Sequence, residues 1–135
     1  MRIRLAQIFV TDQERALAFY TGKLGFQVKT NAEYGPGARW LTVVSPDDPD
    51  GTELMLGAVD EVSGAFQRKV YDAGRPAISL ESGDLGGDYE RLRAAGVEFT
   101  MPPTQMPYGG TDAIFDDTCG NYVNLHQAWV NPPQA

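Results

Sequence analysis

The sequence repeats itself, and the repeat limits the folds that this chain can adopt. Asp12 and Asp84 each stand where a helix would begin, and they are 72 residues apart. The glycines that would end those helices, Gly25 and Gly96, are 71 residues apart, so one residue is deleted between them. Self-similarity at a fixed period indicates one supersecondary unit used twice. Chance similarity between two amphipathic helices is the alternative explanation.

Each half has the same order of elements: a strand, a capped helix that ends at glycine, and further strands. In the first half we predict strands over 2–10, 26–30, 39–44 and 52–56, a helix over 13–24 and a turn over 31–37. In the second half we predict strands over 77–81, 97–100, 112–115 and 122–127 and a helix over 84–95. A helix over 63–73 connects the halves. The sequence therefore predicts one α+β domain, 1–135, made of two tandem βαβββ modules at about 1–57 and 77–130.

Composition narrows the classes of partner. A net charge of −7 argues against nucleic acid and anionic membranes, which require a basic surface. The chain has no apolar run of the length that spans a bilayer, and no signal peptide is recognised. Its single cysteine, Cys119, excludes an internal disulfide and favours the cytoplasm. No basic residue adjoins Cys119 in the sequence, so we do not predict a nucleophile there.

The last predicted strand carries polar side chains on one face. Tyr122, Asn124 and His126 alternate with Val123 and Leu125, so the two sets point to opposite sides of a sheet. A face with these polar groups is typical of a ligand-binding surface. His126 is the only histidine and the natural candidate for proton transfer at neutral pH. A hydrogen-bonded structural role near the end of an edge strand is the alternative for His126.

Three segments together give the chain a recognisable family pattern: VTDQERALAFYTGKLGF, GDLGGDYERLRAAGVEF and FDDTCGNYVNL. In this order they resemble the vicinal oxygen chelate superfamily, the group of glyoxalases, bleomycin resistance proteins and extradiol dioxygenases. The resemblance extends from Ile3 to Trp129. It implies two βαβββ modules whose curled mixed sheets surround a cleft, which in this family a homodimer usually completes.

The resemblance also implies four anchor positions for a divalent metal, on the first and last strand of each module. They fall on Gln7, on Glu53 or Met55, on Ala77 and on Asn124. Alanine cannot bind a metal, and amide side chains are weak ligands for transition metals. A rearranged site of Gln7, Glu53 and His126 would still have fewer strong ligands than a typical catalytic zinc. We therefore expect no metal cofactor, with a divalent metal at those three residues as the alternative.

A cleft without a metal would present amides and rings to a ligand. Gln7 and Asn124 can each donate and accept hydrogen bonds. Apolar walls could come from Phe9, Trp40, Met55, Phe115 and Tyr122, although core packing is the favoured interpretation for any single aromatic residue. The proline-rich segment 102–110 is predicted to be a loop at the lip of the cleft.

Three functional hypotheses follow. The first is a homodimeric protein that binds an aromatic or polar small molecule without metal. The second is an enzyme, either a metal-dependent lyase, isomerase or dioxygenase, or a metal-free enzyme using Glu53 and His126 as acid and base. Glu53 could equally be an exposed strand carboxylate. The third is a pure interaction module, since a fold does not determine a function.

Overall fold

The computed structural model describes residues 1–129, so the predicted end of the second module at residue 130 lies outside the described residues. The strands are β1 (Leu5–Val10), β2 (Gln27–Gly35), β3 (Ala38–Val44), β4 (Glu53–Ala58), β5 (Pro76–Glu81), β6 (Phe99–Gln105), β7 (Thr111–Asp116) and β8 (Tyr122–Gln127). The helices are α1 (Gln13–Ala18), which continues as a π-helical segment (Phe19–Lys23), α2 (Glu61–Asp72) and α3 (Leu85–Ala94).

The two halves form two mixed sheets of the same topology. The strand order is β1-β4-β3-β2 in one sheet and β5-β8-β7-β6 in the other. In each sheet the first strand of the module runs parallel to the last, and the remaining neighbours are antiparallel. The four strands of each sheet come from one βαβββ module, so the α+β fold with two tandem modules is confirmed. Strand β8, which carries His126, is an interior strand rather than an edge strand.

The helix starts and stops that the repeat predicts are present in both modules. The Asp12 carboxylate accepts a hydrogen bond from the Arg15 backbone N–H at 3.1 Å, and Asp84 accepts one from Gly87 at 3.1 Å. These side chains satisfy backbone donors that have no partner within the helix. Gly25 follows the first helix in a left-handed conformation, with φ of 81°.

One core connects the modules. Ile8, Val10 and Leu56 on the first sheet belong to the same buried cluster as Val123 and Leu125 on the second. The alternation along each strand puts these residues on one face and the polar residues on the other. The opposite faces of both sheets are therefore left to form a binding surface.

The first helix changes its hydrogen-bonding pattern where it enters this core. The Leu24 backbone N–H donates to the Phe19 carbonyl oxygen at 3.2 Å, a spacing of five residues. The wider turn contains two consecutive buried rings, Phe19 and Tyr20. The rings of Phe19 and Phe115 pack together with 6.0 Å between their centroids, and Phe115 is fully buried. Phe115 is thus a core residue, which is the favoured interpretation of each such ring, and it does not form a wall of the cleft.

Of two segments predicted as turn or loop, the first is largely strand and the second is strand only in its first part. The predicted turn 31–37 lies mostly in β2, where Asn31 pairs with Leu41 and Glu33 with Arg39. Its polar sequence reflects an exposed hairpin arm rather than a turn. The predicted loop 102–110 begins within β6, which continues to Gln105. The prolines are accommodated because β6 is an edge strand whose pairing with β7 is irregular there.

Among residues 1–129, none of the helices is long and apolar enough to cross a bilayer.

Candidate functional site

Two adjoining cavities lie on the polar side of the sheets. The first has a volume of about 300 Å³, and we call it the tyrosine cavity. Strand β1 contributes Gln7 and Phe9 to its lining, and the other main contributors are Phe66, Val70 and Tyr71 of α2 and Tyr122 of β8. The structure thus brings three of the predicted ligand-binding residues, Gln7, Phe9 and Tyr122, into one hollow. Ala77 also lines it.

A stacked pair of tyrosines forms one wall of this cavity. The rings of Tyr71 and Tyr122 are nearly parallel, at an interplanar angle of 6°, and their centroids are 4.3 Å apart. The Tyr71 hydroxyl donates to a carboxylate oxygen of Asp116 at 2.7 Å, which fixes the pair against the sheet. Phe66 is 64% exposed. A flat apolar surface with amides at its edge suits a planar ligand.

The connector helix α2 is held in place by one buried amide. Gln67 Nε2 donates to the Phe9 carbonyl oxygen at 2.8 Å, to the Cys119 carbonyl oxygen at 3.1 Å and to Asn121 Oδ1 at 3.3 Å. Gly120 makes this approach possible, because a Cβ atom there would lie 2.8 Å from the Gln67 amide. The helix that supplies Phe66 and Tyr71 is therefore fixed to both modules.

The second cavity has a volume of about 440 Å³ and belongs mostly to the second module. We call it the Asp112 cavity. Its lining includes Ser79, Met101, Met106, Tyr108, Asp112, Ile114 and Asn124. Pro76 and Ala77 line both cavities, so the two hollows adjoin at the start of β5.

Asp112 is the centre of a hydrogen-bonded cluster and is only 2% exposed. Its carboxylate accepts from the Tyr108 hydroxyl and, at 3.1 Å, from Asn124 Nδ2. His126 Nδ1 lies 2.5 Å from Asp112 Oδ1. Burial alone would raise the pKa of Asp112, but these hydrogen bonds from Tyr108, His126 and Asn124 hold it below its usual 3.8. Asp112 is therefore a carboxylate at neutral pH.

Three other predicted residues of the first sheet, Glu53, Met55 and Trp40, lie outside these cavities. The Glu53 carboxylate accepts a hydrogen bond from Thr42 Oγ1 at 2.7 Å and lines a separate shallow hollow. Met55 pairs with Gln7 across the parallel strands. Trp40 is 38% exposed and stands edge-on to Tyr34, with 6.4 Å between the ring centroids.

The donors do not fit a divalent-metal centre within one chain. Gln7 offers a neutral amide, Glu53 is bound to Thr42, and His126 Nδ1 is directed at Asp112. Among residues 1–129, no three His, Cys, Asp or Glu side chains are grouped as metal ligands would be.

Cys119 is fully buried, and burial together with the nearby Asp117 raises the pKa of its thiol to about 12. A protonated, buried thiol is a poor nucleophile.

Comparison with known proteins identifies the family. Residues 2–125 match the model of the Glyoxalase/Bleomycin resistance protein/Dioxygenase superfamily. The chain belongs to this superfamily. Over 128 residues it is 45% identical to the protein YurT of Bacillus subtilis (strain 168). The alignment covers 94% of this chain and 99% of YurT.

Solved structures of related proteins have the same fold as this chain. The structure of UcmS2 superposes with a TM-score of 0.79 at 36% identity, covering 93% of this chain and 97% of UcmS2. The structure of TnmS3, an antibiotic binding protein from Streptomyces sp. CB03234, superposes with a TM-score of 0.76 at 27% identity. That comparison covers 96% of this chain and 97% of TnmS3.

Sequence reasoning missed Asp112 and the cavity wall from α2. Asp112 could have been found, because a hairpin that pairs Asp116 with Tyr122 places Asp112 opposite His126. Phe66 and Tyr71 gave no such signal. The position of α2 depends on the three contacts of Gln67, which join segments far apart in the sequence.

Proposed function

We propose that this superfamily member binds a flat aromatic small molecule in the tyrosine cavity without using a metal ion. The observation that carries the proposal is the stacked pair of Tyr71 and Tyr122 beside Phe9 and Phe66. Gln7 supplies a hydrogen-bonding amide at the edge of this surface. Alanine at one anchor position and amides at two others favour orientation of a neutral ligand over Lewis-acid chemistry.

The relatives support a ligand of the antibiotic type. TnmS3 is an antibiotic binding protein and is similar to this chain over nearly its whole length. We extend that class of ligand to this protein, which would act by sequestering the compound. The buried, protonated Cys119 is compatible with the cytoplasm, where we place this activity.

We further propose that a homodimer completes the site. Large apolar side chains are exposed on β3, on α2 and in the loop after β6, among them Trp40, Phe66 and Tyr108. A second copy that covers these side chains would also bring Trp40 and Glu53 to the ligand. Light scattering at several concentrations tests this point, and a monomer that binds ligand with full affinity would contradict it.

Binding to a panel of planar polycyclic aromatics and glycopeptides, measured by calorimetry, tests the proposed ligand class. We expect micromolar affinity for flat aromatics, and Phe66→Ala should weaken it by about tenfold because an exposed ring of the wall is lost. Val62→Ala is the matched control, since Val62 is an exposed apolar residue of the same helix. A folded protein that binds no member of the panel would overturn the proposal.

A second candidate is metal-free acid–base catalysis, which one observation favours. Asp112 accepts from His126 Nδ1, so the neutral imidazole carries its hydrogen there and leaves Nε2 as a base. Gly110 leaves room for this ring, because a Cβ atom there would lie 2.6 Å from His126 Cε1. Glu53 is the other candidate acid or base. Conversion of a bound ligand would support this function, and turnover that survives in both His126→Ala and Glu53→Gln would exclude these roles.

A further inference from the structure

The side-chain amide of Asn124 has a fixed orientation. Its Nδ2 atom lies 3.1 Å from Asp112 Oδ2 and 3.0 Å from Ser79 Oγ. The two ends of an asparagine amide look alike in most structures and must be assigned from their partners. Here the assignment is unambiguous, because an ionised carboxylate only accepts hydrogen bonds and so requires the nitrogen of Asn124.

This orientation leaves acceptors for a ligand. Both hydrogens of the Asn124 amide are used by Asp112 and Ser79, so Oδ1 remains without a partner among the described residues. The Tyr108 hydroxyl also donates its hydrogen to Asp112, which leaves the lone pairs of its oxygen. Both side chains line the Asp112 cavity. Apart from the exposed Ser79 hydroxyl, which keeps its own hydrogen, the polar groups that line this cavity therefore present acceptors.

The rest of the cavity is apolar. Met101, Met106 and Ile114 line it beside the polar cluster. The carboxylate of Asp112 adds a negative charge, and the chain as a whole carries a net charge of −7. Both charges disfavour an anionic group here. A ligand group that enters must bring its own hydrogen to the acceptors or leave them unsatisfied.

We propose that the Asp112 cavity receives the polar end of the ligand and selects for a hydrogen-bond donor there, a hydroxyl or an ammonium group. Asp112 acts as the positioning residue, because it fixes which atom of Asn124 faces the ligand. This inference rests on the proposed function, since the cavities adjoin at Pro76 and Ala77 and one molecule can extend into both.

The test uses pairs of probes in which methylation removes the hydrogen-bond donor. Calorimetry at neutral pH compares 2-naphthol with 2-methoxynaphthalene, and 2-naphthylmethylamine with its N,N,N-trimethyl derivative. In each pair, the methylated probe should bind about tenfold more weakly, which corresponds to the loss of one hydrogen bond to an otherwise unsatisfied acceptor. The first pair reports selection for a hydroxyl and the second for an ammonium, and selection in either pair supports the inference.

Two variants test whether Asp112 acts by orienting the amide of Asn124. In Asp112→Asn the partner of Asn124 can donate as well as accept, so the amide is free to turn and the ratio within each pair should fall to about one. Phe66→Ala is the matched control and should weaken both members of a pair equally. If Asp112→Asn does not fold, Asn124→Leu replaces it and should also abolish the ratio, because the acceptor itself is removed.

Two failures are distinguishable. If no naphthalene probe binds, the proposed function fails and the inference fails with it. If the probes bind with equal affinity within each pair, or if the tenfold ratio persists in Asp112→Asn, only the inference is overturned.

Discussion

Two buried aspartates of one hairpin have opposite electrostatic properties. Asp112 on β7 is 2% exposed and Asp117, in the turn that follows, is fully buried. Burial raises the pKa of Asp117 above its usual 3.8, although hydrogen bonds from Asn121, Tyr20 and the backbone oppose the rise. For Asp112 the hydrogen bonds prevail over burial, and its pKa is lowered. The pKa values of two buried carboxylates are thus shifted in opposite directions.

The partners of the two carboxylates explain this difference. Asp117 accepts from the Tyr20 hydroxyl at 2.7 Å, from Asn121 Nδ2 at 2.8 Å and from the backbone N–H groups of Cys119 and Asn121. All these donors are neutral and inside the core. Asp112 instead accepts from Tyr108, His126 and Asn124 beside the Asp112 cavity, and the His126 side chain is 29% exposed. These hydrogen bonds together prevail over burial at Asp112, whereas the loss of hydration prevails at Asp117 inside the core.

The Asp117 cluster has a structural role, whereas the Asp112 cluster is a candidate functional one. The Asp117 cluster ties the first helix, through Tyr20, to the last hairpin. It also fixes the turn in which Thr118 adopts a left-handed conformation with φ of 63°, a strained arrangement for a β-branched residue. The Asp112 cluster contributes Tyr108 and Asn124 to a cavity instead. Perturbed carboxylates alone would not distinguish these roles.

The largest expected effect is on stability. Asp117→Ala leaves four buried donors without an acceptor, so we expect the free energy of unfolding to fall by about 3–5 kcal/mol. Urea unfolding followed by circular dichroism measures it. Asp112→Ala is the matched comparison, and its loss should be about 1–2 kcal/mol because Tyr108 and His126 can turn to water. Equal losses would mean that the two clusters do not differ as described.

Much of the fold could be predicted because its signals are local or repeated. The helix caps Asp12 and Asp84, the glycines after the helices and the strand alternation follow from nearest-neighbour geometry. The turn predicted over 31–37 failed because polar composition does not distinguish a turn from a hairpin arm exposed on both faces. Prolines 102 and 103 misled the prediction of β6, since only the sheet order reveals an edge strand.

The site was less predictable because its parts meet only in the tertiary structure. The alternation along β8 identified the face of Asn124 and His126, and a hairpin register would have added Asp112. No local pattern predicts that Tyr71 stacks on Tyr122, 51 positions later in the chain. That contact depends on how α2 is docked. Docking depends in turn on the buried amide of Gln67 and on the missing side chain at Gly120.

A smaller effect, and a sharper test of the comparison, is the pH dependence of stability. Because the folded-state pKa of Asp112 lies below 3.8, its contribution is complete above that pH and is lost as the pH falls through the lowered pKa. For Asp117 the folded-state pKa lies above 3.8, so its contribution is complete below that pH and is lost as the pH rises through the raised pKa. The two contributions therefore change in opposite directions.

Asparagine variants isolate each contribution, since asparagine does not titrate. Urea unfolding between about pH 3 and pH 7 gives the stability difference between the unmodified protein and each variant. For Asp112→Asn this difference should shrink toward low pH, and for Asp117→Asn it should shrink toward neutral pH. Carboxylates that do not contact the substituted residue cancel in each difference. Parallel slopes would show that burial dominates at both positions and that the hydrogen bonds to Asp112 do not outweigh it.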